Sequence, residues 1–114
     1  DYWDADALRR AIDNLLSNAL KYGAQDQEIT IRVHQDDRQT KISVHNYGNP
    51  IPPDKLEKLF DPYYRSQDVK GQQGWGLGLT LVQGVAKAHH GNVEVKSRPD
   101  EGTTFSIVIP LHEP

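Results

Sequence analysis

The sequence predicts an α+β fold, a two-layer α/β sandwich in which about three helices cover one face of a mixed, mostly antiparallel sheet. Three observations support this prediction: an early stripe of apolar residues at helical spacing, two neighbouring segments of alternating polarity, and a second alternating pair near the end of the chain. A chain of 114 residues can bury one core but not two. Residues 1–114 are therefore expected to form a single domain.

The first helix is predicted at about residues 5–22. Asp4 or Asp6 can cap its start, and Gly23 fits the position just beyond its end. Apolar residues at helical spacing would form its core stripe: Leu8, Ile12, Leu15, Leu16 and Ala19. At about 100° per residue, three polar side chains lie in one row along the edge of this stripe: Asn14, Asn18 and Tyr22. That row is expected to border the core without being buried in it.

Two strands joined by a tight turn follow this helix. Residues 28–34 alternate as in a half-buried strand, and a polar turn at residues 35–39 leads to a second strand at residues 40–45. The inward-facing side chains of the pair would be Ile29, Ile31, Val33, Ile42 and Val44. The period of two then puts Asn46 on the same inward face, at the end of its strand.

The rest of the chain is predicted to add two helices and a closing hairpin. A short helix is expected at residues 52–59, whereas residues 61–75 have too little apolar periodicity for a helix or strand and are expected to form a mobile lid. A third helix ends at Gly91, and a hairpin that turns at residues 98–102 closes the sheet. The apolar stripe of that helix is Leu77, Leu81, Val85 and Ala88, and the hairpin pairs Val93 and Val95 with Phe105, Ile107 and Ile109.

Two distant segments together fit one nucleotide site. The glycines of residues 74–79 let the backbone approach an anion, and the N–H groups of the helix that follows attract phosphate. This is not a Walker loop, because no Lys-Ser or Lys-Thr follows its last glycine. On the first helix, the amide oxygen of Asn18 suits Mg²⁺, Lys21 can neutralise phosphate charge, and the ring of Tyr22 can face adenine. Each residue alone suits an ordinary surface position at least as well, but together they indicate a Mg-ATP pocket.

One further side chain is predicted to face inward, and two cations of the predicted lid are candidates for phosphate contact. Thr103 shares parity with the inward-facing residues of the last strand, so its hydroxyl is expected to point inward near one end of that strand. In the predicted lid, Arg65 and Lys70 can reach the γ-phosphate on closure, where a positive charge would stabilise the transferring phosphoryl group. Both cations also suit solvated loop positions.

The order of these motifs resembles the catalytic, ATP-binding domain of a sensor histidine kinase, in the superfamily shared with gyrase, the MutL repair proteins and the ninety-kilodalton heat-shock chaperone. Residues 14–22 match the N box of that family, 59–65 the F box, 74–79 the G2 box and 102–105 the closing glycine-threonine strand, while 45–52 occupy the G1 box. The matches cover nearly the whole chain. The resemblance implies the Bergerat-type ATP-binding fold.

The resemblance also implies a role for each matching residue. Asn18 would be the Mg²⁺ ligand, and the catalytic residues would be Asn18, Lys21 and Arg65, the last favoured over Lys70 because it lies inside the F box. The residues binding ATP would be Asn14, Asn18, Lys21, Tyr22, Asn46, Gly48, Ile51, Phe60, Gly74, Gly76, Leu77, Gly78, Leu79 and Thr103. Where the superfamily's ATPases have a glutamate as general base toward water, this chain has Asn14, a poor base, which favours transfer to a protein over hydrolysis.

The implied partners lie outside these residues. The γ-phosphoryl group would pass to a histidine on a separate helical dimerisation domain of the same kinase, and from there to the receiver domain of a response regulator. No segment of this chain supplies that acceptor-histidine domain, so the chain is expected to be inactive as a kinase and monomeric by itself. Its five histidines are expected to be structural or solvated: His34, His45, His89, His90 and His112.

The G1 box departs from the family pattern. Asn46 stands where the family usually has an aspartate that accepts a hydrogen bond from the adenine amino group, and Pro50 replaces a glycine. Asparagine has one carbonyl acceptor and two N–H donors, so Asn46 can accept from that amino group and donate to the neighbouring ring nitrogen. A flipped amide could donate to the carbonyl oxygen of guanine, which gives the hypothesis of looser base selectivity. Pro50 removes a backbone donor and fixes φ near −65°.

Composition limits the function further. A net charge of −3 argues against a nucleic-acid surface, and no stretch approaches the ~20 apolar residues of a membrane span, so direct membrane contact is not expected. With no cysteine the chain has no disulfide or thiolate metal site, which fits a cytoplasmic domain whose parent protein can be membrane-anchored.

Two other functions stay open at this point. The G1 departures favour a degenerate module that regulates a partner by protein contact, with weak or no ATP binding. A serine kinase acting on an anti-anti-sigma partner is a weaker third reading, because that group shares the pocket. The intact N and G2 boxes favour the histidine kinase.

Overall fold

The computed structural model describes residues 3–24, 26–48 and 79–111. These ranges form α1 (Ala5–Tyr22), β1 (Thr30–Gln35), β2 (Gln39–Asn46), α2 (Leu79–Ala88), β3 (Asn92–Arg98) and β4 (Gly102–Pro110). Both predicted hairpins and the first and last predicted helices are therefore confirmed, within a few residues at their ends. The short helix predicted at 52–59 and the lid predicted at 61–75 lie outside the described residues. Neither of the two described helices has the length and hydrophobicity of a membrane-spanning segment.

Local capping sets both ends of α1. The side chain of Asp4 accepts a hydrogen bond of 3.1 Å from the backbone N–H of Ala7, which satisfies one of the first-turn donors. At the other end the Gly23 N–H donates to the Ala19 carbonyl, and Gly23 has φ of −80°, so no left-handed turn requires glycine here. Close packing requires it instead, because a Cβ on Gly23 would lie 2.5 Å from the Ala19 carbonyl oxygen and 3.1 Å from the side chain of Asn46.

The described strands form one antiparallel sheet in the order β1-β2-β4-β3. The predicted pairing of the closing hairpin is confirmed, since Val93 lies opposite Ile107 and Val95 opposite Phe105. The turn between β1 and β2 is held by the Asp36 carboxylate, which accepts hydrogen bonds from the backbone N–H groups of residues 38 and 39. The β1–β2 hairpin thus comes from local turn chemistry and a period of two.

The prediction that β1 is half-buried along its length is wrong. Ile31 is 48% exposed and Val33 67% exposed, although Ile29, just before the strand, packs partly against the core. The described helices pack over β2, β4 and β3, and β1 is the edge strand on the side away from them. Alternation in a sequence identifies a strand and its faces, but it does not identify the element that covers a face.

The stripe predicted for α2 is also partly wrong. The residues that α2 buries are Leu79, Val82 and Ala86, while Leu81 and Ala88 are exposed and Val85 is half-buried. The helix is apolar around most of its circumference, so two stripes fit helical spacing equally well. Packing of α2 against α1 and the sheet buries the stripe formed by Leu79, Val82 and Ala86 instead of the predicted one.

Candidate functional site

Two buried polar side chains mark one end of the sheet. Asn46, the last residue of β2, lies directly opposite Thr103 of β4 in the strand register. They are 3% and 1% exposed and continue the inward face formed by the neighbouring pair Val44 and Phe105. The inward orientation predicted for both is therefore confirmed. A polar pair at the end of an apolar face is suited to recognising the polar edge of a largely apolar ligand.

Each member of this pair has a hydrogen bond that fixes it. The Thr103 hydroxyl lies 2.7 Å from the hydroxyl of Ser97, which is opposite it on β3. The Asn46 Nδ2 donates to the Tyr47 carbonyl oxygen at 3.0 Å. Flipping the Asn46 amide would bring Oδ1 against the Tyr47 carbonyl oxygen, and two acceptors cannot share a hydrogen bond. The hydrogen bond therefore keeps Oδ1 pointing away from the Tyr47 carbonyl.

The end of α1 is attached to the same end of the sheet. The backbone N–H of Ala24 donates to the Tyr47 carbonyl at 2.7 Å, and Gly23 approaches Asn46 closely enough to exclude a side chain. The C-terminal end of α1, which follows the predicted asparagine row, therefore lies beside Asn46.

The prediction that Asn18 borders the core is wrong, because Asn18 is 3% exposed. Ala11 explains the difference: it lies seven residues earlier, which at about 100° per residue puts it within about 20° of Asn18, and it is fully buried. The stripe predicted for α1 lacks Ala11 and is centred too far toward Ile12 and Leu16, which are only partly buried. Asn14, one turn before Asn18, is half-buried and does border the core as predicted.

Two other predicted positions are described by the structure. Gly48 has φ of 141°, a conformation that residues with a side chain rarely adopt, so glycine is required there by the backbone. The side chain of Leu79 is fully buried in the core, so any contact of this residue with phosphate would be made by its backbone at the start of α2.

The other predicted positions fall into two groups. Lys21 and Tyr22 belong to α1, and the structure does not describe their side chains. The positions outside the described residues are Pro50, Ile51, Phe60, Arg65, Lys70, Gly74, Gly76, Leu77 and Gly78. Their roles stay predictions.

Among the described residues, the candidate metal ligand at this site is an amide rather than a cluster of charged side chains. In residues 3–24, 26–48 and 79–111, no group of three or more His, Cys, Asp or Glu side chains is placed to hold a metal ion. The amide oxygen of Asn18 is a hard donor of the kind that Mg²⁺ accepts, and Mg²⁺ commonly takes one or two protein ligands beside phosphates and waters. The donor chemistry of Asn18 thus fits the predicted Mg²⁺.

The shifted carboxyl group of the β1–β2 turn lies far from this site. Backbone N–H groups of Arg38 and Gln39 donate to Asp36 and lower the pKa of its carboxyl. Asp36 lies before the start of β2, and Asn46 is the last residue of β2. The length of that strand, roughly 23 Å from its first to its last residue, therefore separates the turn from the site. Of two cavities among the described residues, one of ≈ 470 Å³ lies between the start of α1 and α2. The other, of ≈ 680 Å³, lies on the opposite face of the sheet, where His45 and Tyr47 line it.

Sequence reasoning missed two residues that support the pair. Ser97 could have been found, because a hairpin that turns at residues 98–102 puts position 97 opposite 103. For His45 the sequence predicts a structural or solvated role without a partner, and the structure gives the partner: its Nε2 lies 2.7 Å from the Glu101 carbonyl oxygen in the turn before Thr103. No local pattern in the sequence indicates that contact, which joins residues 56 positions apart.

The sequence of this chain matches one protein family and is similar to several sensor kinases. The family described as histidine kinase-, DNA gyrase B-, and HSP90-like ATPase matches residues 3–113. The sensor histidine kinase CusS of Escherichia coli O157:H7 is 44% identical over 106 residues, which cover 90% of this chain and 22% of that protein. The adaptive-response sensory kinase SasA of Crocosphaera subtropica is 35% identical over 112 residues, which cover 97% of this chain and 29% of SasA.

Solved structures agree with these sequence matches. The mycobacterial sensor histidine kinase MprB superimposes with a TM-score of 0.77 at 29% identity, covering 94% of this chain and 72% of that one. The nucleotide-free catalytic domain of histidine kinase ThkA gives a TM-score of 0.80 at 28% identity, covering 95% and 68%. The predicted fold class and family resemblance are confirmed. The chain spans less than a third of the length of the curated relatives.

Proposed function

Because the chain belongs to the family of histidine kinase-, DNA gyrase B- and HSP90-like ATPases, we propose that it binds Mg-ATP and donates the γ-phosphoryl group to a protein histidine. The acceptor would lie on a separate dimerisation domain of the same kinase, and a response regulator would take the phosphoryl group from it. The similar proteins named above are sensor kinases, which supports two-component signalling as the setting.

The observation that supports this proposal most directly is the buried pair Asn46 and Thr103 beside the end of α1. Burying two polar side chains at the end of an apolar face is costly unless they are hydrogen-bonded. Each makes one hydrogen bond to a neighbouring residue, and the chemistry of an amide or a hydroxyl allows more than one. In the bound state, Asn46 Oδ1 would accept from the adenine amino group. The Thr103 hydroxyl would bind adenine through a water held together with Asn46.

The geometry of Asn46 argues for retained base selectivity. Its Nδ2 donates a hydrogen bond to the Tyr47 carbonyl. Donating to the carbonyl oxygen of guanine would need the flipped amide, which loses that hydrogen bond and places Oδ1 against the Tyr47 carbonyl oxygen. We therefore expect the site to prefer adenine in spite of the missing aspartate. Competition between ATP and GTP tests this: equal affinity for both would restore the hypothesis of loose selectivity.

The remaining roles rest on family resemblance and charge. Asn18 would give one oxygen to Mg²⁺, which when bound neutralises phosphate charge, and Lys21 and Arg65 would stabilise the transferring group. Asn14 stands half-buried one turn before Asn18 and cannot act as a strong base toward water. We therefore expect slow ATP hydrolysis by the chain alone and transfer only to an added acceptor domain.

Calorimetric titration with a non-hydrolysable ATP analogue tests binding, with and without Mg²⁺. Asn18→Ala should weaken binding by about tenfold or more, the size of effect found when groups around a metal are removed. Asn92→Ala, an exposed asparagine at the start of β3, is the matched control and should bind like the wild type. The absence of any binding at millimolar nucleotide would instead favour the degenerate regulatory module.

Transfer is measured separately, with ATP that carries a label in its γ-phosphate. The expected result is acid-labile, base-stable label on an added dimerisation domain that bears the acceptor histidine. Rapid release of labelled inorganic phosphate by the chain alone, with no labelled acceptor, would contradict the proposed kinase and indicate an ATPase.

A further inference from the structure

We propose that His45 is a positioning residue for the adenine side of the site, an inference that rests on the proposed function. His45 precedes Asn46 on β2, so its side chain projects from the opposite face of the sheet. From there its Nε2 lies 2.7 Å from the carbonyl oxygen of Glu101. A carbonyl oxygen only accepts hydrogen bonds, so Nε2 carries the proton and donates.

The acceptor belongs to the turn that leads into Thr103. Asp100 and Gly102 have φ of 73° and 81°, and the Glu101 N–H donates to the Arg98 carbonyl at 3.2 Å, so the turn is tight. A Cβ on Gly102 would collide with the Asn46 carbonyl oxygen and lie 2.8 Å from His45 Nε2. The turn therefore packs directly on the backbone of Asn46 and on the His45 ring.

The imidazole ring is itself held in place. It stands edge-on to the ring of Tyr47, with the ring centroids 4.6 Å apart and the planes at 90°. The Tyr47 carbonyl accepts hydrogen bonds from the Asn46 side chain and from the Ala24 backbone. One connected set of contacts thus runs from the turn through His45 and Tyr47 to Asn46 and the end of α1.

This arrangement has a specific consequence for ligand recognition. Asn46 and Thr103 lie opposite each other, and the hydrogen bond from His45 holds the peptide two residues before Thr103 against β2. Without that donor the turn loses its side-chain hydrogen bond to β2, and the end of the β2–β4 ladder at Asn46 and Thr103 is held less firmly. Recognition of adenine should weaken, whereas the predicted phosphate contacts, made by other segments, should not.

Two substitutions separate the hydrogen bond from the ring. His45→Phe keeps an aromatic ring beside Tyr47 but has no donor, whereas His45→Gln places an amide nitrogen at about the distance of Nε2 from the backbone. His34→Phe is the matched control, because His34 is exposed and projects from the same face of the sheet as His45. All variants are compared at a temperature at which circular dichroism shows them fully folded.

The readout is affinity for two probes, a non-hydrolysable ATP analogue and inorganic tripolyphosphate, both with Mg²⁺. His45→Phe should bind the ATP analogue about three- to tenfold more weakly, the range expected for one lost hydrogen bond, with tripolyphosphate affinity unchanged. His45→Gln should recover most of the difference, and His34→Phe should match the wild type. Hydrogen exchange at the Gly102 and Thr103 amides should be faster in His45→Phe.

Three outcomes would overturn the inference. Wild-type affinity for the ATP analogue in His45→Phe would show that the hydrogen bond does not position the pair. Equal losses for the ATP analogue and tripolyphosphate would show a general structural effect rather than one on adenine. If the wild type binds neither probe, the proposed function itself fails and the inference falls with it, leaving His45 at most as an anchor of the turn.

Discussion

The close approach of α1 to the candidate site makes Gly23→Ala an informative perturbation. Gly23 has an ordinary backbone conformation, so the substitution causes no strain in φ, and its whole cost is steric. The added Cβ would lie 2.5 Å from the Ala19 carbonyl oxygen and 3.1 Å from both Cβ and Nδ2 of Asn46. Carbon and oxygen atoms in contact normally stand more than about 3 Å apart, so the helix end or Asn46 must move.

The magnitude follows from the cost of overpacking. Inserting one methyl group into a closely packed position typically costs about 1–3 kcal/mol, and we expect about 2 kcal/mol here because one neighbour is backbone. For a domain of this size, that lowers Tm by roughly 10 °C. Displacing Asn46 should also weaken binding of the ATP analogue by about threefold or more, the equivalent of part of one hydrogen bond.

Gly84→Ala is the matched control, with the opposite expected sign. Gly84 lies inside α2, and a Cβ added there would have no described atom within 4 Å, so alanine gains helix propensity at no steric cost. Its stability should rise by about 0.5–1 kcal/mol. Urea unfolding followed by circular dichroism measures both variants, and calorimetry measures their nucleotide affinity. A Gly23→Ala variant as stable as the wild type and equal to it in affinity would refute the close approach of α1 to Asn46.

Three further predictions test the core, the contact between α1 and α2, and the β1–β2 turn. Leu15→Ala should cost about 2–5 kcal/mol in urea unfolding because Leu15 is a fully buried core residue, whereas Leu20→Ala, at an exposed position of the same helix, should stay within about 0.5 kcal/mol of the wild type. His89→Phe should lower the free energy of unfolding by about 1–3 kcal/mol, because the His89 ring makes two hydrogen bonds that phenylalanine cannot make. It accepts from the Asp4 N–H at 3.0 Å and donates to the carbonyl of residue 85 at 2.8 Å. Unchanged thermal stability would contradict this link between α1 and α2. The pKa of Asp36 is lower in the folded protein than in the unfolded chain, so its carboxylate stabilises the fold at pH values above the pKa of the unfolded chain. This stabilisation is lost as the pH falls through the lower pKa of the folded protein. Urea unfolding across pH should therefore show Asp36→Ala less stable than the wild type at neutral pH, with the difference vanishing in acid; a difference that persists in strong acid would contradict this.

The sequence predicted the parts of the fold that depend on neighbours along the chain. The apolar spacing of α1 and the turns of both hairpins indicated where these elements begin and end, because helix and strand periods act over a few residues. Parity alone put Asn46 and Thr103 on the inward face, and the pairing of Val95 with Phe105 followed from the position of the turn. The Gly48 position was also expected from its motif, and its backbone conformation requires glycine.

Tertiary packing decided what periodicity left undetermined. Two apolar stripes fit α2, and contact with α1 and the sheet selected the one that contains Val82 rather than Leu81. The exposure of Val33 depends on which strand is at the edge, and the burial of Asn18 depends on Ala11 facing the same neighbours. Each of these outcomes depends on an element distant in sequence.

For the candidate site, the sequence by itself determined which residue types are present and which face of the sheet Asn46 and Thr103 occupy. Only the tertiary structure decided that they stand opposite each other, that Gly23 leaves room for Asn46, and that His45 holds the turn before Thr103. The physical reason is that parity is a local property of an extended chain, whereas a hydrogen bond between residues 56 positions apart exists only after the strands have paired.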